Sequence, residues 1–238
     1  MQEKNSVFKR KQFTNKLIDF PDLNTVTRNG KRYYVTTEGE QYPSVTTVLD
    51  SMTDKTSLFE WRKRIGEAEA NKISRRAASR GTALHTICEK YILGEDIDFE
   101  NEMPTTVSLF SQMKKVLDDK VNQIHCVESP LVSKKLKVAG RVDLIAEYED
   151  DLAVIDFKTS DKLKRKEWIE SYFLQTSLYS YMFWEMTGIP IKKIVVGICV
   201  ESEDKAQVFV ESPANYIEKI ANMVRSYHKL IQGSPNED

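Results

Sequence analysis

Cysteine is scarce in this chain, with three in 238 residues, at Cys88, Cys126 and Cys199. An odd, scattered set argues against a disulfide framework, falls short of the four thiolates an iron–sulfur cluster needs, and suits a reducing compartment. Long apolar runs are missing as well: no stretch of 18 apolar residues occurs, so no membrane-spanning helix and no membrane partner are expected. The opening MQEKNSVFKRKQF carries cations but lacks the apolar stretch of a secretory signal. Net charge is close to nil, with 35 Lys and Arg against 36 Asp and Glu. Attraction for a polyanion must therefore come from local clustering of cations. No internal repeat or low-complexity linker is present. These absences point to a soluble, cytoplasmic protein of a bacterium or phage-infected cell, large enough to bury a substantial core in one domain.

What is present is a change of period along the chain. The first 30 residues have weak periodicity and read as an arm. Over KRYYVTTEGEQYPSVTTVL, two β-prone runs flank the turn signal TEGE, and Ser44 is placed to cap a helix. Residues 56 to 80 read as a basic helix ended by Gly81, its cations from Lys55 to Arg80 outnumbering Glu60, Glu67 and Glu69. A second helix opens at RGTALHTICEKYILG and a third covers residues 105 to 121. The period then becomes strand-like in IHCVESPLV, KVAGRVDLIAEY and LAVIDFKTS, the last two joined by the acidic turn EDD. A nearly all-round apolar helix, WIESYFLQTSLYSYMFWEMTG, two further strands and an amphipathic helix from Pro213 to about Ile231 complete the pattern before the polar tail GSPNED. The expected class is α/β: an arm and hairpin over residues 1–41, then a single domain over 42–238, mainly helical to 121 and αβ from 122.

The third of those strands ends in Asp156 and Lys158. Asp-x-Lys alone is a weak pattern, and Asp118–Lys120 and Glu203–Lys205 match it in polar surroundings. Strand alternation puts Leu152, Val154, Asp156 and Lys158 on one face and Ala153, Ile155 and Phe157 on the other. A salt bridge at a strand end is the bland reading. Asp143 lies thirteen residues upstream, and the short turn makes its strand the antiparallel neighbour. Two carboxylates brought together repel unless a divalent cation lies between them, and oxygen ligands of this kind suit Mg2+ or Mn2+. Lys158 could then stabilise charge on a phosphorane-like transition state or orient water, and the Phe157 carbonyl could be a further ligand.

Gly140-Arg-Val-Asp143, Asp156-Phe-Lys158-Thr-Ser, Gln175-x-x-x-Tyr179 and the upstream Gly81-Thr-Ala-Leu-His85 together resemble the RecB-type branch of the PD-(D/E)XK nucleases. Pro43-Ser-Val-Thr46 is similar to a segment of its mitochondrial, phage and bacterial exonuclease members. The resemblance covers roughly residues 42 to 200. It implies a restriction-endonuclease-like core, a mixed central sheet flanked by helices, with an N-terminal helical extension. It also implies His85, Asp143 and Asp156 as metal ligands with the Phe157 carbonyl, Lys158 as the catalytic lysine, Gln175 and Tyr179 as supports of the site or contacts to DNA, and Glu128 as a further acid. Each has a plainer alternative. His85 could be a satisfied core histidine; His85, Cys88, His125 and Cys126 could be imagined around zinc, though no spacing matches a zinc pattern. Trp168, Tyr172, Tyr181 and Trp184 read as core rather than as stacking platforms.

Three basic segments are expected to flank the site: Arg75, Arg76 and Arg80 with Thr82 before His85, Lys134 and Lys135 before Gly140, and Lys162 and Lys164 past Lys158. The reaction implied is metal-dependent hydrolysis of single-stranded DNA from its ends, with residues 56 to 94 forming part of the passage for the strand. A sequence-specific endonuclease, a non-catalytic nucleic-acid-binding protein on the same scaffold, and a structural subunit of a larger enzyme are the alternatives.

Overall fold

The computed structural model describes residues 10 to 232, so the polar tail GSPNED and the first nine residues lie outside it. Its centre is a six-stranded sheet in the order β1 (Thr14–Asn15), β5 (Val121–Ser133), β6 (Val138–Tyr148), β7 (Asp151–Ser160), β8 (Lys193–Val200) and β9 (Gln207–Glu211). β5, β6 and β7 form an antiparallel meander, whereas β7 and β8 are parallel and need the crossover helix α5 (Glu170–Thr187). A second sheet joins β2 (Asn24–Arg28), β3 (Lys31–Val35) and β4 (Gln41–Pro43). The remaining helices are α1 (Val45–Met52), α2 (Thr56–Ile65), α3 (Glu67–Leu93), α4 (Pro104–Lys120) and α6 (Ile217–Gln232). None of the described helices is long and apolar enough to cross a membrane.

The expected α/β class and mixed, helix-flanked sheet are present. Strand alternation divides the interior into two apolar layers. Val154 packs with α1, α5 and α6 on one side; Ala153, Ile155 and Phe157 pack with α3 and α4 on the other. β7 is therefore buried on both faces, which is why it reads as an almost unbroken apolar run. The acidic turn EDD supplies two left-handed residues, Glu149 at φ 47° and Asp150 at φ 65°, the conformation a tight hairpin between twisted strands requires. Ser44 caps α1 by accepting from the Thr47 N–H.

Two local expectations are corrected. The helix break lies at Gly66, not Gly81: Gly66 has φ 88° and ψ 147°, open to glycine alone, while α3 runs without interruption through Gly81. The tryptophans are not core, since Trp168 is 64% and Trp184 43% exposed; Tyr172 and Tyr181 are half-buried against it. α2 has no buried residue and residues 71 to 79 of α3 are exposed on every side, so this helical pair stands off the body until Leu84 enters the core.

Gly140 lies under Tyr179, where an added Cβ would stand 2.7 Å from the ring Cε1 and 3.1 Å from Val45 Cγ2. Overpacking of this kind costs about 1–3 kcal/mol. Gly140→Ala is therefore expected to lower the urea midpoint with an unchanged m-value; an unshifted midpoint would mean that Tyr179 gives way freely.

Candidate active site

The site forms where β6 and β7 part. Their pairing ends at Leu144↔Ile155. Asp143 would be next in register, but its Oδ2 instead accepts the Phe157 backbone N–H at 2.7 Å, so the carboxylate fills the opening between the strands. Across β5, the pairs Val127↔Leu144 and Ser129↔Val142 set Glu128 opposite Asp143. Glu128 has φ 42°, an uncommon conformation for a residue with a side chain, and the Arg141 guanidinium holds its carbonyl. From α3, His85 places Nε2 2.8 Å from the Phe157 carbonyl oxygen, 3.4 Å separates its Nδ1 from Glu128 Oε1, and 3.6 Å separates Nδ1 from Asp143 Oδ1. Because a carbonyl only accepts, Nε2 carries a proton and Nδ1 faces the acids.

His85, Glu128 and Asp143 each offer a ligand atom within 4.8 Å of the others, and among the described residues this is the sole group of three or more such side chains. The imagined zinc set is not assembled. Its cysteines are buried, with Cys126 pushed up to about 12 by burial and Cys88 raised well above the thiol range by burial with Cys199 alongside. Asp156 stands beside the group rather than within it. Its carboxylate is buried; the Lys158 ammonium holds Oδ2, with Nζ 2.5 Å away, while Oδ1 has no hydrogen-bond partner. Lys158 also stands 5.2 Å from the centre of the Tyr172 ring.

Burial raises the pKa of both Asp143 and Asp156; Lys158 draws Asp156 back down while Asp143 adds to the rise. Burial opposes the Lys158 ammonium, yet Asp156 and Asp143 outweigh it and hold its pKa above the usual lysine value. Burial also pulls His85 down, but the contact with Glu128 and the charges of Asp143 and Asp156 lift it to about 9. Tyr179 is raised far up by burial and by the same two aspartates, with the Gln175 side chain bonded to it, so it remains a phenol.

This donor set fits a hard divalent cation. It is rich in oxygen, with three carboxylates and the Phe157 carbonyl beside one imidazole, and Asp156 keeps its buried Oδ1 without a donor. A buried acceptor left without a donor is costly unless something else satisfies it.

The predicted DNA contacts are distributed unevenly. Thr82 lines an open cleft with Gly81, His85, Thr86, Glu89 and Glu128. Arg75 is exposed, with Nε bonded to the Asn71 carbonyl; Arg76 and Arg80 both pair with Glu201 just past β8. Lys134, paired with Glu38, and Lys135, 5.7 Å from the Trp184 ring centre, sit at the tip of the β5–β6 hairpin. That tip is roughly 20 Å along the strand from Glu128. Lys162 and Lys164 follow β7 directly; Lys162 is exposed, and the backbone of Lys164 is bonded to the Gln207 side chain. Sequence reasoning missed Tyr172 as the neighbour of Lys158. The signal was there: Tyr172, Gln175 and Tyr179 share one helical face at i, i+3 and i+7.

In metal-free protein, His85 is expected to titrate near 9 by NMR, and Glu128→Gln to bring it down by a unit or more. The associated stability is fully present below the unfolded histidine value of about 6.5 and disappears as pH rises through about 9. An unperturbed titration would remove the Glu128–His85 contact from the site.

The chain is 30% identical over 129 residues to mitochondrial genome maintenance exonuclease 1 of Xenopus tropicalis, covering 51% of this chain and 37% of that protein. It is 28% identical over 138 residues to the Homo sapiens protein of the same name, covering 55% and 40%. The chain thus spans well under half the length of these curated relatives. A putative exonuclease from Eubacterium rectale is similar in structure with a TM-score of 0.45 at 12% identity, covering 64% of this chain and 66% of that one. The sequence profile of the PD-(D/E)XK nuclease superfamily matches residues 101–237, more than half of the chain, and the chain belongs to that superfamily.

Proposed function

We propose that this protein is a divalent-metal-dependent deoxyribonuclease that hydrolyses phosphodiester bonds of single-stranded DNA from its ends, with residues 42–238 as the nuclease unit and residues 1–41 as an attached arm and hairpin. The observation that carries the proposal is the buried Asp156 carboxylate, ion-paired to Lys158 through Oδ2 and with Oδ1 lacking a donor, beside Asp143, Glu128, His85 and the Phe157 carbonyl.

In this reading His85, Glu128, Asp143, Asp156 and the Phe157 carbonyl hold Mg2+ or Mn2+. When bound, such an ion supplies Lewis acidity to a phosphoryl oxygen and to an attacking water. The protein's own part is positional and electrostatic. Lys158 is kept as an ammonium by its two aspartates and is placed to stabilise charge developing on the scissile phosphate. Asp143 cannot swing away without losing the Phe157 N–H. His85 keeps its Nε2 proton on the Phe157 carbonyl and so offers Nδ1. Tyr179, bonded to the Gln175 side chain on α5, stands within the field of Asp143 and Asp156. Support for a strand entering by its end comes from α2 and the first half of α3, which stand off the body, carry the exposed Arg75 and lead along α3 to the cleft at Thr82 and His85. Three free, buried cysteines suit action in a reducing compartment.

With labelled linear single-stranded oligonucleotide, cleavage is expected with Mg2+ or Mn2+ and not with chelator, and a circular substrate should remain intact. Cutting of the circle would favour the endonuclease reading. Lys158→Ala should lose at least a hundredfold in rate while still binding DNA, since removal of one transition-state donor costs about that much. Retained metal-dependent cleavage by this variant would reject the assignment. Independently of activity, saturating Mg2+ or Mn2+ should raise the thermal midpoint of the wild-type chain by mass action, and Asp143→Asn should abolish that rise. An equal rise in the variant would place the ion elsewhere.

A further inference from the structure

On the α5 side of the sheet the chain leaves Lys158 through an exposed loop, DKLKRKEW, whose last three residues form a short 3₁₀ turn into the helix. Trp168 closes that turn and is 64% exposed, while its neighbour Ile169 is 1% exposed and anchored in the core. The buried isoleucine fixes the backbone, so the indole is held outward at a defined place. The Arg165 guanidinium lies 5.3 Å from the ring centre. Lys166 is paired with Glu211, but Lys162, Lys164 and Arg165 carry no ion pair among the described residues. Trp168 is also only four residues before Tyr172, the ring 5.2 Å from Lys158 Nζ. Four residues span at most about 14 Å, which places the indole within a few nucleotides of a phosphate at Lys158.

A protein partner would call for a contiguous apolar patch, and beside Trp168 the loop offers Leu163 set among lysines. An aromatic face next to unpaired cations is instead the combination that binds single-stranded nucleic acid: the cations follow phosphates while a base stacks on the ring. α3 brings His85 to the site from one face of the sheet, and this loop leaves Lys158 at the end of β7, tied to β9 through Gln207 and Glu211.

We propose that Trp168, flanked by Arg165, is a stacking platform for a nucleobase of the substrate and positions the strand against Lys158. This rests on the nuclease reading. It adds a positioning residue in a loop outside the metal-binding set, and it gives the enzyme a requirement for an unpaired base.

The test uses the full chain and linear single-stranded oligonucleotides in which one abasic nucleotide is moved stepwise along the strand, with kcat and KM measured in Mg2+. For the intact strand, Trp168→Ala should raise KM roughly tenfold, the scale of one lost base–aromatic stack. It should leave kcat within about threefold and leave the thermal midpoint unchanged, and Trp168→Phe should recover most of the loss. At one position the abasic nucleotide should cost the wild-type enzyme the same factor and cost Trp168→Ala nothing further. Wild-type cleavage with an unchanged KM in Trp168→Ala, or equal abasic penalties in both proteins at every position, would overturn the stacking role alone. Absence of wild-type cleavage would overturn the nuclease reading and this proposal with it.

Discussion

The site depends on one hydrogen bond that takes the place of strand pairing. β6 and β7 pair as an ordinary hairpin up to Leu144 and Ile155, and at the next step the Asp143 carboxylate receives the N–H of Phe157 at 2.7 Å. A backbone donor in that position must be satisfied, because the strand is buried on both faces. Satisfying it with a side chain opens the sheet while leaving no unpaired amide. The opening gives the Phe157 carbonyl to His85, admits Glu128 from the far strand, and leaves Asp156 and Lys158 pointing toward α5. Side chains from both faces of the sheet can then approach one point, which a fully paired ladder would forbid.

The arrangement is costly, and native proteins as a class are only marginally stable. Three carboxylates share a partly buried space with one ammonium and one imidazole, and burial raises the pKa of Asp143 and Asp156. Glu128 adds a left-handed backbone conformation. Strain and uncompensated charge of this kind persist where the surrounding structure over-determines them. Here the surroundings are rigid: Gly140 and Val45 confine Tyr179, and Tyr172 flanks Lys158. The two apolar layers, with β7 shared between them, supply the burial that tolerates the cost. A cation that binds the folded form alone would relieve it directly.

Most of the fold was legible in the sequence because its elements have strong local signals. β7 reads as a strand from its apolar run, the EDD turn from its acidic residues, and the helix α1 from Ser44. The pairing of Asp143 with the end of β7 followed from hairpin length alone. The helix break was misplaced because a glycine has the same local signature whether or not its left-handed freedom is used; Gly66 uses it and Gly81 does not. Trp168 and Trp184 were misplaced for a different reason. α5 is apolar nearly all round, so periodicity could not say that Trp184 faces solvent, and Trp168 lies before that helix, in the 3₁₀ turn Lys166–Trp168, where helical periodicity does not apply. Glu128 had almost no signal of its own, because its role depends on a register across β5 and β6 that no short stretch encodes.

The same limit applies to the cations, and it bears on where a polyanion can be held. Sequence clustering treats Arg76, Arg80, Lys134 and Lys166 as equivalent to Arg75, Lys162, Lys164 and Arg165. In the folded chain the first four are already paired, with Glu201, Glu38 and Glu211. Exposed pairs of this kind contribute little to stability, yet each keeps a cation from acting as a free charge. Glu201 in particular ties α3 to the end of β8, so Arg80, only 13% exposed in its side chain, fastens the projecting helix to the sheet. Cations without an ion pair among the described residues include Lys162, Lys164 and Arg165 in the loop after Lys158 and Lys63, Arg64 and Arg75 on α2 and α3. A neutral chain thus carries unpaired cations both on its projecting helices and on the loop past Lys158, a distribution set by which ion pairs close within the protein and not by its composition.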